Sequence, residues 1–416
     1  MRLLTLVVIF ASFYMAFCEK ARFDNYRVYS MIVENEEQLR ILQELENHRD
    51  GIEFLESPNS IGDFTELIVP PHKLADINDL FEKYEIKSLA KSNNLQKLID
   101  EEQPQFSSRA TFSWEKYYDL DDIYKWLDEM LEEYPNELTN YNYGTSYENR
   151  PLRAIKFSRK SGNPLIFIES TIHAREWVTA ATATYILNEL VTSDDPEIKE
   201  LADNYDWVII PVFNVDGYSY THSKNRLWRK SRSSNGLYPF CVGTDLNRNF
   251  DFHHAEAGAS RNPCYETYAG TKPFSEKETQ ALAEFVSNFD NIKMYISFHS
   301  YGQMLLFPYG HTKSHAKNFH DMNAIGLKAK EGIKKRYGTN YIVGSIAEAI
   351  YLASGSSIDW AYAQRNVSLT YSFEFRDARN GNYGFILPAN FIIPNAVEVL
   401  DGLKAMTKQA KSLKYF

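Results

Sequence analysis

The chain has 416 residues, 44% of them hydrophobic and 24% charged, with a formal net charge of −10. This is the profile of a globular protein with room for about two to three domains, and it excludes a disordered, collagen-like or coiled-coil chain. With no basic patch, no repeat and no low-complexity tract, it also excludes a nucleic-acid binder and a solenoid.

Residues 1–18 read as a secretory signal peptide. Arg2 gives the positive start, Leu3 to Phe17 is almost unbrokenly apolar, and Ala16 and Cys18 are the small residues before a cut ahead of Glu19. The apolar run falls short of the roughly 20 residues of a spanning helix, so removal and an extracellular location are expected, with no membrane anchor. Residues 19–109 carry 19 acidic and 11 basic side chains, which marks them as a separate acidic unit. Within it, Tyr26 to Val33, Ile52 to Leu55, Thr65 to Val69 and Tyr84 to Leu89 read as strands. Glu36 to Glu46 and the Leu74-Ile77-Leu80-Phe81 stripe read as helices. The resulting βαββαβ order predicts a small α+β, ferredoxin-like open sandwich. A connecting helix over Asn94 to Glu102 follows.

Gln103 to Ala110 is polar and contains Pro104, as linkers do. Arg109 lies in it, placed for a trypsin-like cut. From 110 onward strands and helices alternate. Strands are expected at Leu165 to Glu169, Trp207 to Pro211, Met294 to Phe298 and Leu369 to Phe375. Helices are expected at Leu120 to Tyr134, Trp177 to Leu190, Glu276 to Asn288, Met322 to Tyr337 and Pro394 to Lys411. Near-continuous apolar strands of this kind predict an α/β sheet covered by helices on both faces. Cys18 leaves with the signal, so Cys241 and Cys264 form an even pair in an oxidising compartment, and one disulfide is expected. Asn366-Val367-Ser368 is the only N-glycosylation acceptor pattern.

The chemistry concentrates in Ile172-His173-Ala174-Arg175-Glu176-Trp177. An imidazole and a carboxylate three positions apart in a turn or helix start face the same side, so one metal ion can accept both. Hydrolytic zinc takes three protein ligands and keeps a fourth position open. His299, in Ser297-Phe298-His299-Ser300-Tyr301, is the candidate third ligand. Four further segments follow in order. Asn225-Arg226-Leu227-Trp228-Arg229-Lys230 is basic, and Asp245-Leu246-Asn247-Arg248-Asn249 pairs a guanidinium with amides. Tyr351 heads a Gly/Ser-rich loop that runs to Trp360, and Phe373-Glu374-Phe375-Arg376 puts one carboxylate in a strand. Taken singly, each has a plainer reading. Glu374 would be an ion-pair partner of Arg376, Arg229 a charge on a solvated face, His299 a core histidine and Tyr351 an ordinary aromatic. His253-His254 keeps such a reading as a polar loop feature, and His311, His315 and His320 as surface residues without a matching carboxylate partner.

These segments, in this order, resemble the pancreatic-type zinc metallocarboxypeptidases of the carboxypeptidase A/B group, most closely its A type. The resemblance covers essentially all of 110–416, and the upstream unit is similar to that family's activation segment. It implies an eight-stranded mixed, mostly parallel sheet flanked by helices, and a zymogen activated near Arg109. The family is known for a His2Glu zinc set, which falls here on His173, Glu176 and His299. It implies that Asp245 holds the other nitrogen of His173, that Glu374 is the general base and that Arg229 stabilises the oxyanion. Asn247 and Arg248 would clamp the substrate's terminal carboxylate, Tyr351 would close over the substrate, and Arg175, Ser300 and Tyr301 would line outer subsites. Partners implied are peptide and protein C-termini, a trypsin-like activating protease and proteinaceous carboxypeptidase inhibitors, for a monomeric digestive enzyme.

Basic-specific relatives carry an aspartate where this chain has Ile358. With Ile346, Ile350, Ala353 and Leu306 also at lining positions and Gly310 leaving space, the pocket is expected to take aromatic or large aliphatic residues. Ser372 leaves the order between those two classes open. The alternatives are Lys/Arg release and an inactive secreted binding homologue. The presence of His173, Glu176, His299, Arg229 and Glu374 argues against the latter.

Overall fold

The computed structural model describes residues 19–48, 51–103, 112–236, 238–377 and 383–416. The expected signal peptide and the activation cut at Arg109 lie outside the described residues. The first unit has strands β1 (Arg27–Ile32), β2 (Glu53–Glu56), β3 (Phe64–Val69) and β4 (Ser88–Ser92), ordered β2-β3-β1-β4. All its pairings are antiparallel. Helices Glu36–His48 and Leu74–Lys83 cover one face. Alternation puts Tyr29 and Met31 on that face, with Leu42, Phe54, Leu67 and Phe81. Val28 and Ile68, on the opposite face, pack against Leu227 and Ile386 of the second unit. The central strands β1 and β3 are therefore buried on both sides over most of their length, one side by the unit's own helices and one by its neighbour.

The fourth strand starts at Ser88, not at Tyr84. Residues 84–86 instead close the preceding helix. Glu85 takes a left-handed φ of 52°, and the Ile86 N–H returns 2.8 Å to the Phe81 carbonyl. Helix Leu95–Glu102 then leads away. Its last residue makes a fully buried ion pair, with Arg226 Nε and Nη2 donating to Glu102 at 2.7 and 2.5 Å. The same guanidinium donates to the carbonyls of Arg175 and Phe385 and stacks 3.7 Å over Trp177.

The second unit holds an eight-stranded sheet. Its strands are β5 (Leu138–Thr145), β6 (Pro151–Phe157), β7 (Leu165–Ser170), β8 (Asp206–Ile210), β9 (Ile292–Ser300), β10 (Met304–Phe307), β11 (Ile342–Ser345) and β12 (Leu369–Phe375). Their order is β11-β10-β12-β9-β7-β8-β6-β5. The centre is parallel (β8/β7/β9/β12), while β5/β6, β6/β8 and β10/β12 are antiparallel. Ile166, Ile168, Met294 and Ile296 face helices Leu120–Glu133, Trp177–Thr192, Phe319–Tyr337 and Ile392–Ser412. Leu165, Phe167 and Tyr295 face helices Lys277–Val286 and Ser357–Gln364. Cys241 and Cys264 form the expected disulfide. No helix among the described residues is long and apolar enough to cross a membrane.

Candidate metal centre and substrate cleft

Strand β7 ends in a sharp reversal. Thr171 takes a φ of 61°, uncommon for a β-branched residue. Its hydroxyl is held by Thr179 and by the Pro211 carbonyl. The reversal brings His173 over the ends of the parallel strands, and the turn to Glu176 is closed by Glu176 N–H on the His173 carbonyl. His299 stands near the end of β9, and its register neighbour on β12 is Glu374. Both belong to the odd-numbered β9 and even-numbered β12 positions that face helix Ser357–Gln364.

His173, Glu176 and His299 are buried, and one ligand atom from each lies within 4.8 Å of the others. They are the only such trio among the described residues. His173 Nδ1 is 2.7 Å from Glu176 Oε1, His299 Nδ1 is 3.3 Å from Glu176 Oε2, and the two Nδ1 atoms are 3.2 Å apart. Ligand atoms at about 2.0–2.1 Å from a tetrahedral zinc stand about 3.3 Å apart, so the trio fits the ion closely. Two imidazole nitrogens turned on each other also call for a shared cation. Burial pushes the Glu176 carboxyl up, but His173 and His299 prevail and hold it at about 2.

Asp245 Oδ1 lies 3.2 Å from His173 Nε2, and its Oδ2 accepts from Arg229 at 2.8 Å. One buried carboxylate thus joins a ligand histidine to the arginine. Despite burial, Arg229 and His173 keep it well below the usual carboxylate range. Burial raises the Glu374 carboxyl to about 8; His299 opposes the shift, and Glu176 and Glu56 add to it. Arg376, the partner a plainer reading would give Glu374, pairs instead with Glu398 at 2.6 Å.

These residues open on a cavity of about 650 Å3. His173, Glu176, Arg229, Asn247, Arg248, His299, Ser300, Tyr301, Tyr351 and Glu374 all line it. Its apolar end is walled by Leu306, Ile346, Ile350 and Ala353, with Ser372 among them. Gly355, in the loop after Tyr351, has a φ of +71°, and a Cβ there would meet the Arg248 carbonyl at 2.3 Å. That contact is why the loop carries glycine where it passes the cleft.

Three expected site residues do not line the cavity. Asp245 lies beneath it. Ile358, 2% exposed, sits behind the wall in one apolar cluster with Leu306, Ile346 and Ala353. Arg175 is turned toward the first unit, donating to the Leu55 carbonyl at 2.9 Å and stacking 4.1 Å over Phe385. Gly310 does not leave pocket space, because a Cβ there would meet the Ala353 carbonyl at 2.6 Å. His311 and His315 do have carboxylate partners, Asp359 at 3.0 Å and Glu348 at 3.1 Å.

The first unit closes the cleft's mouth, a feature local sequence patterns do not reveal residue by residue. Glu56, Asp63, Phe64 and Lys91 line the same cavity as the metal trio. The Tyr301 hydroxyl donates to Glu66, which is 2% exposed and also pairs with Lys91 at 2.9 Å.

Residues 123–402 match the family model described as zinc carboxypeptidase, and residues 29–102 match the carboxypeptidase activation peptide. "Zinc carboxypeptidase A 1" of Anopheles gambiae is 43% identical over 402 residues, spanning 96% of this chain and 92% of that one. The crystal structure of carboxypeptidase A from Helicoverpa armigera superposes with a TM-score of 0.83 at 27% identity, covering 94% and 98% of the two chains. Bovine thrombin-activatable fibrinolysis inhibitor, solved in complex with tick carboxypeptidase inhibitor, gives a TM-score of 0.68 at 39% identity, over 72% and 99%.

Proposed function

The chain belongs to the zinc carboxypeptidase family, and on that premise we propose a secreted, monomeric, digestive A-type enzyme made as a zymogen. Its reaction is release of an aromatic or large aliphatic residue from a peptide C-terminus. One observation carries this reading: a His2Glu trio, the Glu374 carboxylate and an arginine–amide pair share one cavity with an apolar end.

His173, Glu176 and His299 hold the zinc ion. When bound it supplies Lewis acidity, which makes water nucleophilic near neutral pH. Arg248 and Asn247 receive the terminal carboxylate, and their placement beside the trio restricts the enzyme to chain ends. Glu374 takes the proton of the attacking water and returns it to the departing amine. Arg229, fixed by Asp245, donates to the oxygen on which charge develops. Tyr351 lies against the bound residue, and Ser300 and Tyr301 meet the preceding ones.

Glu374 must be ionised to act, so kcat/KM rises with pH through its pKa. Cutting removes the like charge of Glu56, and a bound cation favours the carboxylate further. The acid limb of the cut, zinc-loaded enzyme is therefore expected below the value of about 8 that Glu374 has in the uncut chain. A pH–rate profile with its acid midpoint at 8 or above would contradict this.

The apolar wall sets the side-chain preference. Ile358→Asp would put a carboxylate behind Leu306 and Ala353 with no cation beside it, a burial that costs several kcal/mol. Release of C-terminal Phe is expected to fall about 100-fold in kcat/KM, with Arg release gaining relative to it. Unchanged Phe release would remove Ile358 from the specificity argument.

Latency follows from the seated first unit. A trypsin-like protease cutting near Arg109 would release it, and inhibitors like the tick protein on the bovine relative are expected to compete for the same mouth. Removing one partner of a buried ion pair costs about 3–5 kcal/mol, so Glu102→Gln is expected to loosen docking and raise the activity of the uncut chain. An uncut variant as silent as the parent would show that Glu102 does not hold the unit down.

A further inference from the structure

A carboxylate inside a fully buried parallel sheet is costly unless neighbours serve it. Glu169, near the end of β7, is 0% exposed and takes no part in the chemistry above. Its register neighbour on β9 is Ser297, whose neighbour on β12 is Ser372. This row crosses the sheet on the face where His299 and Glu374 form the next row.

Ser297 Oγ lies 2.8 Å from His299 Nε2, and Ser357 Oγ donates to Glu169 Oε1 at 2.9 Å. Burial pushes the Glu169 carboxyl up, while His299 and the hydroxyls of Ser297 and Ser357 favour its ionised form. His299 Nδ1 faces His173 and Glu176, so with that nitrogen on the ion, Nε2 carries the ring proton. In this tautomer Ser297 Oγ accepts from Nε2 and keeps its own proton to offer to Glu169, its register neighbour on the same face, whose buried Oε2 is otherwise unpartnered. The Asn247 Nδ2 atom, 3.3 Å from Nε2, is then no donor to it.

We propose that Glu169, acting through Ser297, is a positioning residue for the zinc ligand His299. His173 has its carboxylate directly, in Asp245; His299 has its own at one serine's remove. The relay fixes the ring's tautomer and orientation and strengthens it as a donor. Ser357, the carboxylate's other partner, also donates its N–H to Asn247 Oδ1 at 3.0 Å and directly precedes Ile358. The same buried group thereby ties the metal centre to the carboxylate clamp and the pocket wall.

This inference rests on the zinc reading, and the test separates the two. Full-length wild type, Glu169→Gln, Ser297→Ala, the double variant and Glu169→Asp would be compared by chelator competition for zinc. The visible absorption of their Co2+-loaded forms would be recorded in parallel, as a reading of the ligand field. Wild type is expected to bind one zinc. Each single variant should lose about 10–100-fold in affinity and show a changed Co2+ spectrum. The double variant should be no worse than the singles, because both cut one relay, and Glu169→Asp should recover part of the loss. Affinities within about twofold of wild type with an unchanged spectrum, or losses that add in the double variant, would overturn the proposal. If Glu169→Gln fails to fold, Ser297→Ala decides by the same criteria. A wild type that binds no zinc would overturn the zinc reading itself and this inference with it.

Discussion

Replacing Glu374 with glutamine is expected to lower kcat of the cut enzyme by about 10²–10⁴-fold, the usual range for loss of a general base. The amide keeps the shape and volume of the side chain but cannot take a proton. Glu374 is held by the pairing of β12 with both β9 and β10, so the substitution should leave the backbone in place. Glu374 is not one of the three groups that converge as a metal trio. Zinc content and KM should therefore change little, which places the loss on the chemical step. The check is a steady-state comparison alongside metal analysis. A variant that keeps more than a tenth of the parent's kcat would mean another group is the base.

The second large effect is expected for His299→Ala. It removes one of three protein ligands, so the loss of zinc affinity should exceed the roughly 10–100-fold given for outer-shell groups. The protein should be isolated nearly metal-free and inactive. The ring also sits at the end of the buried β9, so some stability is lost with its contacts. Added zinc at high concentration should restore only a small part of the activity. A variant that copurifies with one zinc per chain would contradict the His2Glu assignment.

The parts of this site differ in how far they can be read from sequence, for physical reasons. His173 and Glu176 are three residues apart in one turn, so their convergence is local. His299 and Glu374 meet through the β9/β12 register, which no spacing along the chain encodes. Only the resemblance of ordered motifs to a known family joined them in advance. Glu169 reads from sequence as the polar end of an apolar strand. Its neighbours Ser297 and Ser357 lie far along the chain, and only the fold makes the relay. The same holds for Glu102 and Arg226, each of which reads as a surface charge until the two units pack.

In the fold, strands buried in the sheet's centre were legible because both of their faces are apolar. The outer strands were not: β5 and β11 at the edges, and β6 and β10 next to them. β5 is polar (Thr-Asn-Tyr-Asn-Tyr), with one side in solvent, and β10 and β11 have four residues each. Periodicity over so short a span carries no signal. β1 read as an alternating strand, yet both its faces are covered, because the second unit packs where solvent would otherwise be.

The most direct test of the account is a paired release assay after limited trypsin treatment. Release of C-terminal Phe or Leu would be compared with release of C-terminal Arg, each with and without a zinc chelator. The account predicts chelator-sensitive release of Phe or Leu that appears only after the cut, with Arg release far lower. Preferential Arg release would contradict the apolar pocket, and no release of any residue by a zinc-loaded, cut chain would contradict the enzyme reading and favour a binding homologue.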